Sequence, residues 1–141
     1  MFMKKNTKGF TLVEILTVIA IVAIIALITI PVTNIIIKSV KKSTFETSVN
    51  NMMETIDWYI LDEYNGKVNT EKIFDLSTGG ITEVKAGATG EFLKYDGVVI
   101  GRGQIKVNSV GEYYVNYSNG TFCAVKEYSD PDLTISEGEC N

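Results

Sequence analysis

Glu14 is the residue in this chain whose type and position pose a chemical question. From Ile15 to Ile37 no residue is charged, and the apolar run has already begun at Phe10. An ionised carboxylate near bilayer depth costs roughly 3 kcal/mol even on lenient insertion scales. Two arrangements make it tolerable: the side chain snorkels toward the lysines before it, or it meets a positive partner inside the apolar layer. Elsewhere, reactive residue types are sparse. The chain has no histidine, and its two cysteines are Cys123 and Cys140. No nucleophile elbow or phosphate loop is present, and Gly101-Arg102-Gly103 is too short for a phosphate motif and reads as a strand turn. No catalytic residue, no metal site and no cofactor is expected, so the chain does not read as an enzyme.

The element that must carry Glu14 is the apolar run. Residues 15 to 37 as a helix span about 35 Å, enough to cross a ~30 Å hydrocarbon core with some tilt. Three of the 13 basic residues, Lys4, Lys5 and Lys8, precede the first acid. That bias keeps the short N-terminus in the cytoplasm and sends the rest outward. A cleaved secretory signal would have an apolar region of roughly 7–15 residues and a small-residue cut site. Here the run is longer and continues through Pro31, Val32 and three isoleucines, which favours a retained anchor. Most of the 17 acidic residues lie in the outward part, and the net charge is −4. That argues against nucleic acid as a partner, because such affinity comes from lysine and arginine neutralising phosphates.

Lys8-Gly9-Phe10-Thr11-Leu12-Val13-Glu14 resembles the N-terminal signature of type IV prepilins and of the pseudopilins of type II secretion and competence systems. The likeness includes a short basic leader, glycine, phenylalanine, glutamate as the fifth residue after the cut, and Pro31 as the twenty-second. It covers residues 4–45 closely and the remainder only as an architecture. It implies that a prepilin peptidase cuts between Gly9 and Phe10 and methylates the new Phe10 amine. It further implies that Phe10, Glu14 and Pro31 serve assembly, with Glu14 of one subunit beside a neighbour's Phe10 amine. Each charge then offsets the burial cost of the other, and the pair fixes one axial stagger. Pro31 leaves the Leu27 carbonyl without its helical partner, so a kink is expected there, with Thr29 and Thr33 placed to take up freed backbone groups. Relatives of this kind commonly have glycine eight residues before the proline. This chain has Ala23, which resists unwinding more than glycine does.

Beyond the span, Lys38, Lys41 and Lys42 mark the exit from the bilayer. Phe45, Val49, Met52, Met53, Ile56, Ile60 and Tyr64 then recur at steps of three and four, one face of a helix that Asn65-Gly66 stops. A helix from about Thr11 to Tyr64 would be roughly 80 Å long. Thr70–Leu76 reads as a short helix capped by Asn69 or Thr70, and 77–80 and 87–90 read as turns. Strands are expected at Phe92–Tyr95, Val98–Ile100, Gln104–Val107, Tyr113–Tyr117 and Thr121–Lys126, with a turn at Asp96-Gly97. Asn119-Gly120 predicts a two-residue type I′ hairpin that sets Tyr117 opposite Phe122 and Val115 opposite Ala124. An even cysteine pair on the outward side favours a Cys123–Cys140 disulfide, and many pilins staple a C-terminal loop in this way. The acidic residues between the cysteines fit no defined calcium loop, and Asp130-Pro131-Asp132 reads first as a turn.

The expected architecture is therefore α+β and pilin-like, a long N-terminal helix packed on a small antiparallel sheet. Residues 1–9 form the leader, 10–37 the membrane and filament-core helix, 38–65 its amphipathic continuation, and 66–141 the connection, sheet and disulfide loop. The expected role is a structural subunit of a type IV pilus, single-pass in the cytoplasmic membrane before it enters an extracellular filament. Its partners would be prepilin peptidase, other pilin subunits and an inner-membrane assembly platform. The alternatives are a pseudopilin of a type II secretion or competence system and, in a different class, a monomeric membrane-anchored binding module.

Overall fold

The computed structural model describes residues 9–140. It consists of one helix, α1 (Leu12–Tyr64), followed by seven strands: β1 (Lys72–Ser77), β2 (Gly80–Lys85), β3 (Ala88–Phe92), β4 (Arg102–Val107), β5 (Tyr113–Ser118), β6 (Phe122–Lys126) and β7 (Thr134–Glu137). The fold is α+β. The chain divides into two compact units, one up to Val40 and the other from Lys41 onward.

In the first unit the large apolar side chains of α1, from Leu12 to Ile37, are exposed wherever they are described. A helix that is apolar all round needs lipid or other helices to cover it, and this one is long and apolar enough to cross a membrane. It continues past position 31, so Pro31 does not end it. The side chains of residues 30–32 lie outside the described ones, and with them the contacts through which Pro31 was expected to serve assembly. Thr29 donates its hydroxyl to the Ile25 carbonyl at 2.7 Å, so it is not spent on the Leu27 carbonyl.

The second unit is built on the apolar stripe of α1. Phe45, Val49, Met52, Ile56 and Ile60 are buried there, against Phe74, Leu76, Ile81, Ile105, Val107, Val115, Tyr117 and Ala124 of the sheet. Phe45 stacks on Tyr117 with ring centroids 5.6 Å apart, and Tyr59 meets Phe74 edge-on at 6.0 Å. Burying such side chains contributes roughly 1.5–3 kcal/mol each. Asn65 and Gly66 both adopt positive φ, 51° and 74°, and end the helix. Gly66 N–H then bonds the Ile60 carbonyl.

The sheet is antiparallel in the order β3-β2-β1-β4-β5-β6-β7. Several of its features correct the sequence expectations. Thr70–Leu76 is not a helix, because Lys72–Ser77 pairs with β2 on one side and β4 on the other. Phe74 and Leu76 alternate into the core while Ile73 and Asp75 do not, the period of a strand. The 87–90 segment is no simple turn, since Ala88 begins β3. In contrast, Val98–Ile100 and Leu93–Tyr95 are not strands but part of a crossing segment from β3 to β4, with a bend at Asp96-Gly97. Leu93 and Val99 anchor that segment in the core. Arg102 opens β4 instead of turning. Gly101 just before it lies so close to β5 that a Cβ would fall 2.0 Å from the Ser118 carbonyl oxygen.

The β5–β6 hairpin is also longer than a type I′ turn. Ser118 pairs with Cys123, Tyr117 with Ala124 and Val115 with Lys126. Of the two central residues only Gly120 has positive φ. Asn119 Oδ1 instead accepts from the N–H groups of Thr121 and Phe122. The register moves by two residues, which keeps each side chain on the face expected for it. The Cys123–Cys140 disulfide is present, with Cα atoms 5.0 Å apart. It ties the residues beyond β7 to β6.

Candidate assembly site at the start of the helix

Thr11 is the N-cap of α1 and Glu14 is its third helical residue. Oε2 of Glu14 accepts from both the N–H and the hydroxyl of Thr11, each at 2.8 Å. The Thr11 hydroxyl oxygen in turn accepts from the Glu14 N–H at 3.3 Å. This is a reciprocal capping box, which satisfies backbone donors that an α-helix leaves open at its first turn. The positive end of the helix dipole favours a carboxylate there as well. Thr17 closes the next turn by donating to the Glu14 carbonyl at 2.9 Å.

Glu14 is held by its own helix terminus. Both Thr11 bonds fall on Oε2, and Oε1 has no hydrogen-bond partner among the described residues. The carboxylate retains acceptor capacity for a further donor. Phe10, the residue before the Thr11 cap, is 83 % exposed, and a Cβ at Gly9 would meet nothing within 4 Å. Lys8 lies outside the described residues.

The sequence reading named Gly9, Phe10 and Glu14 but missed Thr11, although Thr11-Leu12-Val13-Glu14 has the spacing of a capping box. It also missed Glu83. That side chain is only 2 % exposed and is buried between β2 and α1. It accepts from the hydroxyls of Tyr59 at 2.9 Å and Tyr64 at 2.8 Å, and Lys72 and Lys85 each approach it at 3.2 Å. Burial pushes the Glu83 carboxyl up, but the bonds from Tyr64, Tyr59, Lys72 and Lys85 outweigh that and hold it below the ordinary glutamate value. All five groups belong to one satisfied network that fastens the end of α1 to the β1–β2 hairpin. In the tail, Asp130 closes a turn with Glu127. Among the described residues its acidic side chains do not converge on a metal position.

Residues 4–30 match a family model described as the prokaryotic N-terminal methylation motif. This is the motif of prepilin and pseudopilin cleavage. No curated protein and no solved structure matches the chain.

Proposed function

We propose that this chain, pilin- or pseudopilin-like by its N-terminal motif, is a structural subunit of a type IV pilus. Prepilin peptidase cuts it between Gly9 and Phe10 and methylates the Phe10 amine, and the subunit polymerises through α1 on an inner-membrane assembly platform. The motif itself implies peptidase processing and assembly with other subunits. The observation that supports the assembly step is the state of Glu14, capped through one oxygen and open at the other. Cleavage makes the acceptor's complement, an ammonium at Phe10. An uncovered apolar helix supplies the surface that neighbouring helices bury. In the filament a neighbour's amine meets Oε1, and two charges that are each costly in an apolar layer are removed together.

The test is the mass of the N-terminal peptide. Protein isolated from cells starts at Phe10 and carries one added methyl group. Intact Met1, or a cut beyond residue 20, excludes the proposal. A bulky side chain in place of Gly9 should block the cut, because it would stand where the peptidase must reach the scissile backbone.

A further inference from the structure

The face of α1 turned away from the sheet has an unusual top. Trp58 is 65 % exposed and Leu61, one turn further on, is 54 % exposed. Four acids surround this end of the helix, and two of them are already engaged. Asp57 accepts the Tyr113 hydroxyl at 2.5 Å, and Glu63 lies 3.9 Å from Lys85. The other two, Glu54 and Asp62, each stand four residues from Trp58 on the same exposed side. Among the described residues they have no ion-pair partner in this chain.

The other end of the same helical segment has the complementary character. Lys41 and Lys42 are exposed and, among the described residues, also lack an acidic partner in the chain. At about 100° per residue, Lys42 lies about 160° around α1 from Trp58 and Lys41 about 100°, so Lys42 stands opposite the patch and Lys41 to one side of it. A patch and its complement on opposite faces of one helix cannot satisfy each other in a closed two-fold pair. Joined patch to complement they would make a heterologous contact, which builds a filament where the rotation from copy to copy does not close into a ring.

We infer that the Trp58–Leu61 patch is a docking site for the Lys41–Lys42 segment of a second copy of this chain. Lysine stems cover the indole and Leu61, their ammonium groups lie over the ring face, and Glu54 and Asp62 receive the two charges. The contact rests on the filament-subunit reading.

Trp58 is the chain's one tryptophan, so its fluorescence reports on the patch without substitution. Full-length, processed protein is compared in the membrane fraction and in sheared filaments by acrylamide quenching. The expected result is strong protection of Trp58 in filaments only. The double variant Lys41→Glu with Lys42→Glu lowers filament recovery by about tenfold at unchanged membrane abundance and unchanged processing, the scale of a like-charge clash at an interface. Adding Glu54→Lys with Asp62→Lys to the same chain restores recovery. Filaments in which Trp58 is quenched as readily as in the membrane overturn the contact, and so does a four-fold variant no better than the lysine pair alone. Those outcomes leave the subunit role standing. An N-terminus that is never cut removes the subunit role itself, and the contact with it.

Discussion

Glu83 is a charge in a place where a lone charge is expensive. Four donors from three elements converge on it: Tyr59 and Tyr64 from the helix, Lys72 from β1 and Lys85 from its own strand. Its folded carboxyl sits below the ordinary value of 4.5, so the unfolded chain binds the proton more readily. The network's contribution is therefore complete above that value and is lost as pH falls through the folded one. The two lysines work in the opposite direction. Lys72 loses some proton affinity to burial but regains more from Tyr64 and Glu83, while hydrogen bonding to Glu83 raises Lys85. Their contribution is complete below the ordinary lysine value of 10.5 and fades as pH rises past their folded values. Glu83→Gln should cost about 1–2 kcal/mol at neutral pH, because the Tyr59 and Tyr64 hydroxyls lose a charged acceptor while the lost pairs with the partly exposed Lys72 and Lys85 are screened by solvent. It should also flatten the acid side of the stability profile. Urea unfolding of the full-length protein in detergent, from pH 7 down to pH 3, checks both. An acid limb as steep as wild type would show that Glu83 is not a titrating group of the transition.

Among the elements, the disulfide closes the least supported part of the sheet. β7 is a four-residue edge strand paired only to β6, and the 17-residue separation of Cys123 and Cys140 is worth about 3 kcal/mol in the chain-entropy account. Cys140→Ser should lower stability by about 2–4 kcal/mol, and reducing the wild type under native conditions should give the same shift in urea midpoint. Cleavage at Gly9 should be untouched. A reduced wild type as stable as the oxidised one would remove the staple's role. This bridge was legible from compartment and count, whereas β7 was not, since Thr134–Glu137 has no strong strand signal of its own. The head half of α1 was legible because one period runs unbroken from Phe45 to Tyr64. β1 was not. Asn69, Thr70, Glu71 and Lys72 resemble a helix start, and only pairing on both edges makes the following residues a strand. β2 and β3 were hidden by glycines. At Gly90 the missing side chain is a requirement of the sheet, because a Cβ there would lie 2.3 Å from the Glu83 carbonyl oxygen. The Glu83 network had no local signature at all, because its partners are brought together only by the fold.

For the whole molecule, insertion, processing and polymerisation place different demands on the same few residues, and substitution at Glu14 and Thr11 separates them. Glu14→Ala should enter the membrane at least as well as wild type, since a costly charge has left the apolar segment. It should still be cut, because Gly9 and Phe10 are unchanged. It should fail to polymerise, because every subunit contact would bury an unpaired ammonium. Glu14→Gln should be intermediate at best: the amide can still accept from Thr11, but it carries no charge for the neighbour's amine. Thr11→Ala is the control for capping alone. It loses the reciprocal bonds, at a cost of about 1 kcal/mol to the first turn, yet leaves the carboxylate for the amine. Its filament yield should therefore exceed that of Glu14→Ala. The measurement is sheared-filament recovery against membrane-fraction abundance, in cells without wild-type subunits or, if the chain is a minor subunit, as incorporation into filaments of the major one. If Thr11→Ala and Glu14→Ala are equally defective, the carboxylate acts only as a helix cap. A normal filament yield from Glu14→Ala would mean that the amine finds its partner elsewhere, and the intermolecular pair would have to be abandoned.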